Sequence, residues 1–204
     1  MTNQRRRIKR TIDFIGAVVF GVLALPVAAV VSIAIVLSMG RPVFFRQDRP
    51  GLNQRVFTMY KFRTMRNPLP GIKESDSERL TPFGRVLRSV SLDELPQLIN
   101  VVKGEMSFIG PRPLLVDYLP YYSERERLRF AMRPGLTGLA QIKGRNHLEW
   151  DSRLALDISY VECWSLILDL RIALLTVKTI AMREGYAADQ ESLMPRLDDE
   201  RGPN

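Results

Sequence analysis

Apolar residues fill the chain from Phe14 to Met39, a run of 26 residues without a charge. Roughly 20 apolar residues span a bilayer as a helix, so the run predicts a membrane helix. Two features predict that it dips in and returns instead of crossing. Arg5, Arg6, Arg7, Lys9 and Arg10 precede it and Arg41, Arg46, Arg49 and Arg55 follow it, and cationic flanks stay on the cytoplasmic side. Pro26 stands mid-run, where it removes a helical hydrogen bond and bends the axis. Each half then reaches about 20 Å at ~1.5 Å per residue, short of a hydrocarbon core of about 30 Å. The expectation is a re-entrant pair of short helices broken at Pro26, with a spanning helix or a cleaved signal segment as the alternatives.

Beyond the run the periodicity shortens. Pro42 to Met65 alternates loosely, with Pro50-Gly51 as a turn, which predicts a short β-hairpin. Asn67 to Thr81 is polar and broken by Pro68, Pro70 and Gly71, as in a mobile loop. Phe83–Val90, Leu92–Val102 and Leu114–Met132 carry helical spacing. Leu136 to Arg145 holds two glycines, Gly138 and Gly144, just after Gly135, which favours a compact turn or short strand. Glu149 to Arg183 returns to helix; Asp169, Arg171 and Lys178 interrupt its apolar part, which suits a membrane surface better than a span. The predicted fold is α/β, mostly helical with small β-hairpin elements. It comprises a basic flank and membrane hairpin (1–40), one catalytic domain with interfacial helices (41–184) and a polar, disordered tail (185–204).

Composition narrows the chemistry. A net charge of +8 over 204 residues fits nucleic acid or an anionic membrane surface, and the apolar run favours the membrane and excludes nucleic acid as the expected partner. Cys163 is the single cysteine and His147 the single histidine, so neither a disulfide framework nor a thiolate or histidine metal cluster can form. Cys163 is expected to be buried and inert. Carboxylates, arginines and an oxygen-bound metal are left to carry a reaction.

The densest chemical signal lies between Ser91 and Pro113. Ser91-Leu92-Asp93-Glu94 has the pattern of a helix capping box, which by itself explains the acidic pair. Pro96 weakens that reading, because it falls where an amide donor is wanted. Placed near a helix N-terminus, Asp93 could instead attack phosphorus, with Glu94 carrying a second charge or a proton. A carboxylate approaching a diphosphate needs neutralisation by magnesium and arginine. Arg112, set between Pro111 and Pro113, is the leading arginine, because both prolines restrict its backbone. Arg85, Arg88 and Arg145 are weaker cationic candidates.

Four blocks carry a resemblance: Tyr60-Lys61-Phe62-Arg63-Thr64-Met65, Arg88 to Leu98, Met106 to Pro113, and Arg133-Pro134-Gly135-Leu136-Thr137-Gly138. In that order they resemble the short, minimal-domain form of the monotopic phosphoglycosyl transferases in the bacterial sugar transferase family. The resemblance implies transfer of a phosphosugar from a UDP sugar to polyprenol phosphate, with release of UMP, in the first membrane step of glycoconjugate synthesis. It implies a ping-pong route in which Asp93 is the nucleophile and contacts Mg2+, Glu94 is its catalytic partner, and Arg112 binds phosphate; from the residues alone, Arg88 and Arg145 join Arg112 as phosphate or substrate contacts. It also implies a re-entrant helix broken at Pro26, in one leaflet of the bacterial inner membrane, with the catalytic domain on the cytoplasmic face. Relatives commonly have serine before that proline; here Leu25 stands there, and the hydroxyl that could brace the bend is missing. Two other readings fit the residues alone: a noncatalytic membrane scaffold, which would tolerate Asp93→Asn, and a direct glycosyl transferase, which would release UDP.

Overall fold

The computed structural model describes residues 3–68, 74–144, 149–181 and 195–201. Helix α1 runs from Asn3 to Met39 with Pro26 inside it. The expected pair of short helices is therefore one continuous element in its backbone assignment. A proline deletes one donor and crowds one turn, which need not end a helix when both sides of it are packed. Ala17 is buried with Phe57, Met59, Val101 and Met106, and Val31 and Ile35 with Phe62 and Leu87. Only 11% of its most apolar window is buried, so α1 is not a core helix. Its outer face, including Leu23, Leu25, Val30 and Leu37, is bare, and such a surface seeks lipid.

Both ends of α1 are fastened to the same globular body. Near the start, Arg10 donates to the carbonyls of Val101 and Val102 at 2.6 and 2.7 Å. At the end, Arg63 donates to those of Met39 and Gly40, both at 2.5 Å. These guanidinium groups donate to carbonyls at helix C-terminal ends, where acceptors outnumber backbone donors.

The predicted hairpin is present. Strands β1 (Phe44–Pro50) and β2 (Val56–Phe62) pair antiparallel from Phe44↔Phe62 to Pro50↔Val56. The loop that follows contains one helical turn, α2 (Asp76–Arg79), closed by a capping box at Ser75. Helix α3 (Pro82–Ser89) is capped by Thr81, whose hydroxyl accepts from Gly84 N at 2.9 Å. Gly84 is required, because a Cβ there would enter the Thr64 main chain.

Several predicted helices are shorter than their periodicity suggested. Leu92–Val102 divides into a 3-10 turn at Leu92–Glu94 and helix α4 (Gln97–Lys103). Leu114–Met132 is two 3-10 stretches, Val116–Tyr121 and Glu126–Ala131, since Pro113 and Pro120 interrupt an α-helical ladder. Strands β3 (Ser107–Ile109) and β4 (Gly135–Thr137) pair in parallel. The expected turn or strand over 136–145 is thus strand only at its start, and Leu139–Gly144 forms helix α5. Side chains at Gly110 and Gly135 would each meet main chain from the other segment, so these glycines set how closely the two strands approach.

Helices α6 (Trp150–Cys163) and α7 (Leu166–Ala181) are separate, broken at Trp164-Ser165. Cys163 is exposed rather than buried, because Tyr160 and Trp164 occupy the inward positions around it. Leu166, Ile167, Leu170, Leu174 and Val177 leave α7 an exposed apolar face, as an interfacial helix requires. Within the predicted disordered tail, residues 195–201 are ordered: α8 (Leu197–Glu200) buries Leu197 among Leu114, Tyr118, Tyr122, Phe130, Trp150 and Leu154. Trp150 Nε1 donates to Pro195 O at 2.9 Å, which fixes the approach.

Phe108 joins β3 to α1. Its N–H donates to Asp13 Oδ1 at 3.2 Å, and its ring lies edge-on to Phe20 at 6.0 Å between centroids. Gly16 leaves room for that ring.

Candidate active site

The pleat of β2 supplies the first site residue. Phe57, Met59 and Lys61 share one face of the strand, and the first two are buried in the core. Lys61 therefore points its ammonium inward at the end of an apolar row, where it meets Glu94 Oε1 at 2.9 Å. An inward lysine beyond two core positions is the signal that marks a buried carboxylate partner. Lys61 falls within the first of the four family-like blocks, where no local pattern assigns it a role.

Asp93 and Glu94 lie in the 3-10 turn between α3 and α4. Ser91, which precedes it, sits in the left-handed region (φ 55°, ψ 22°) and makes no side-chain cap. The capping-box reading is corrected accordingly: Glu94 turns away from Ser91 to Lys61, and α4 begins only at Gln97. Left-handed backbone is unfavourable for a residue with a Cβ, and here it throws the acidic pair into the cleft.

The two carboxylates have opposite surroundings. Asp93 is 6% exposed, and no hydrogen bond reaches its carboxylate among the described residues. Burial pushes its pKa above the usual carboxylate range, and the adjacent Glu94 charge pushes the same way; Lys61, Arg88 and Arg112 oppose them without cancelling. Burial acts on Glu94 as well, but Lys61 and Arg112 outweigh it and bring its pKa down to about 2. Arg112 Nη2 donates to the same Oε1 at 3.1 Å. Glu94 is thus a fixed anion holding two cations, and Asp93 is a more basic oxygen with its lone pairs unspent.

These groups open on a cleft of about 1700 Å³. Lys61, Arg88, Asp93, Glu94 and Arg112 line it together with apolar side chains of α1, β1 and α7, among them Phe20, Phe44 and Leu170. A cavity lined by both charged and apolar groups suits a ligand with a phosphate head and a hydrocarbon body.

Residues 4–183 match the family described as bacterial sugar transferase. The chain belongs to the bacterial sugar transferase family. It is 48% identical over 181 residues to EpsL of Bacillus subtilis (strain 168), described as an uncharacterized sugar transferase, covering 87% of this chain and 89% of that one. It is 41% identical over 184 residues to the UDP-glucose:undecaprenyl-phosphate glucose-1-phosphate transferase of Caulobacter vibrioides, covering 84% and 69%. The undecaprenyl-phosphate galactose phosphotransferase of Salmonella typhimurium shares 34% over 199 residues, covering 88% of this chain and 42% of the relative. The protein is an enzyme of the phosphoglycosyl transferase class, and the noncatalytic scaffold reading falls.

The sequence-predicted residues of this sugar transferase are placed unevenly. Asp93, Glu94, Arg88 and Arg112 meet at the cleft. Arg88 Nε is oriented by Thr64 Oγ1 at 3.1 Å. Arg85 does not line the cleft, and Arg145 lies outside the described residues. No group of three or more metal-ligating side chains exists among the described residues. That donor set fits magnesium held by one carboxylate and the phosphates of a substrate, and does not fit a cation caged by protein. Asp93, with unspent oxygens beside a cationic wall, is the side chain that fits such an ion.

Proposed function

We propose that this sugar transferase moves a phosphosugar from a UDP sugar to polyprenol phosphate, undecaprenyl phosphate in particular, releasing UMP. The observation that carries the reading is the split acidic pair: one carboxylate neutralised by Lys61 and Arg112, the other buried, basic and unbonded at the cleft wall. The names of the Caulobacter and Salmonella relatives supply the acceptor and the class of group transferred.

In the first step an Asp93 carboxylate oxygen bonds to the phosphorus that bears the sugar. The bond from that phosphorus to the bridging oxygen breaks, and UMP leaves with the electron pair. In the second step an oxygen of the acceptor phosphate bonds to the same phosphorus and frees the Asp93 carboxylate. Arg112 and Arg88 hold the diphosphate against its own repulsion with the acidic pair. Glu94 keeps Lys61 and Arg112 at that wall. Asp93 is the residue that would hold a Mg2+ ion, which would supply charge neutralisation at the diphosphate.

The two fastened ends of α1 support a one-sided membrane arrangement. A crossing helix would hold its ends at opposite surfaces, about 30 Å of hydrocarbon apart, whereas Arg10 and Arg63 tie both ends to one body. We infer a helix that enters and leaves one leaflet, bent at Pro26, with the catalytic domain on the cytoplasmic face of the inner membrane. Basic flanks then meet anionic headgroups, and the apolar face of α7 lies in the interface.

The test is UMP release by detergent-solubilised protein with magnesium, undecaprenyl phosphate and a panel of UDP sugars. Wild type should release UMP with one or a few donors, and Asp93→Asn should release none. With acceptor omitted, mass spectrometry should find a phosphosugar on Asp93. UDP as the product would overturn the covalent route in favour of direct glycosyl transfer.

A further inference from the structure

Arg112 stands between two residues that have no backbone N–H, Pro111 and Pro113. Of residues 111–113 only Arg112 itself has a backbone N–H, so the carbonyl oxygens become the main handles on this stretch. The Pro111 carbonyl accepts from Gly135 N at 3.0 Å. The Arg112 carbonyl accepts from Arg129 Nη2 at 2.7 Å. That guanidinium is 2% exposed. The same Nη2 donates to Asp157 Oδ2 at 2.7 Å, Nε to the same oxygen at 3.2 Å and Nη1 to Tyr122 OH at 3.4 Å. It also lies over the rings of Tyr122 and Phe130, 5.5 and 5.4 Å from their centroids.

We propose that Arg129 is a positioning residue for Arg112: it ties the main chain of the proline-flanked loop to α6 through Asp157, so that the Arg112 side chain meets the donor phosphate from a fixed base. The inference rests on the reading of Arg112 as a phosphate ligand. Stability alone is a poor reason for this pair, because buried ion pairs are often matched or bettered by apolar residues of similar volume. A carbonyl flanked by two prolines and met by a buried guanidinium, by contrast, is held by a fixed fork of donors. Lysine cannot supply its geometry, having one nitrogen where Arg129 uses three.

The experiment replaces the pair together, Arg129→Met with Asp157→Leu, and reads thermal unfolding beside single-turnover UMP release without acceptor. The expected result is a midpoint at or above wild type with release slowed about tenfold or more, and a raised donor KM. In an Arg112→Ala background the same double change should add no further loss, because its effect passes through Arg112. Wild-type release by the folded double variant, or a full additional loss in the Arg112→Ala background, would overturn the proposal. If the double variant does not fold, Arg129→Lys is read instead: a folded protein with raised donor KM supports the proposal, an unchanged KM overturns it, and unfolding of both variants assigns the pair to stability. Failure of wild type to release UMP from any donor would sink the functional reading itself, a separate outcome.

Discussion

Two carboxylate–cation clusters stand on either side of the Arg112 loop, and they differ in what they leave undone. At Asp157 the oxygens and the Arg129 guanidinium are both 2% exposed, in a core closed to solvent. At Glu94 the side chain is 20% exposed, Lys61 and Arg112 are 19% and 29%, and the pair borders a cleft. The first is paired within the protein, with Arg129 on Asp157 Oδ2 and Oδ1 left buried without a hydrogen bond. The second keeps Arg112 within reach of a ligand and keeps Asp93 without a partner. Similar residue types thus build a closed ion pair in one place and a candidate reaction centre in the other, and access to solvent distinguishes them.

The largest effect that would break this contrast is on activity. Asp93→Asn should lower UMP release by more than about 10³-fold, as removal of a nucleophile does. It should also raise the thermal midpoint in magnesium-free buffer, because it removes a buried charge that faces Glu94. Loss of activity with loss of stability would refute the strained-site account. Next in size is Asp157→Ala, which abandons a buried guanidinium and should cost about 3–5 kcal/mol in chemical denaturation; a cost under ~1 kcal/mol would show the two clusters to be alike. Lys61→Met should cost less, on the order of 1–2 kcal/mol, and should weaken donor binding as Arg112 loses the shared anion's fixed position.

Acid titration separates the clusters further. The Glu94 pKa is depressed to about 2 in the folded protein from an ordinary 4.5. Its contribution to stability is therefore complete above about pH 4.5 and is lost as pH falls toward 2. Glu94→Gln should flatten the fall in thermal midpoint across that window, and an unchanged slope would contradict the pairing with Lys61 and Arg112. The smallest effect is at Ser91, where glycine removes the left-handed penalty and should stabilise by about 1 kcal/mol; a clear loss would mean that the Ser91 side chain has work of its own.

Much of this was readable before any coordinates. The hairpin, α3, the acidic pair and the proline-flanked arginine follow from alternation, capping and turn chemistry, all local. What failed was governed by contacts distant in sequence. Ser91 and Glu94 fit a capping box locally, but Lys61, 33 residues away, outbids Ser91 for the carboxylate. The 185–204 segment is polar enough to read as unstructured, yet Leu197 finds an apolar cluster built from residues 114 to 154. Arg129 and Asp157 carried no local pattern at all, since a buried pair 28 positions apart becomes visible only when α6 is folded over the loop.

The seat of Phe108 on α1 has one more consequence. Between its amide, held by Asp13, and Arg112 lie four steps of chain, which span at most about 14 Å even when stretched. On the proposed reading, Arg112 therefore rides at a set height above whatever α1 is sunk into, like a gauge mounted on a float. The isoprenoid tail can lengthen without altering that height, so chain length should matter little to the enzyme. Anything that raises or lowers the acceptor's headgroup relative to the leaflet should matter a great deal.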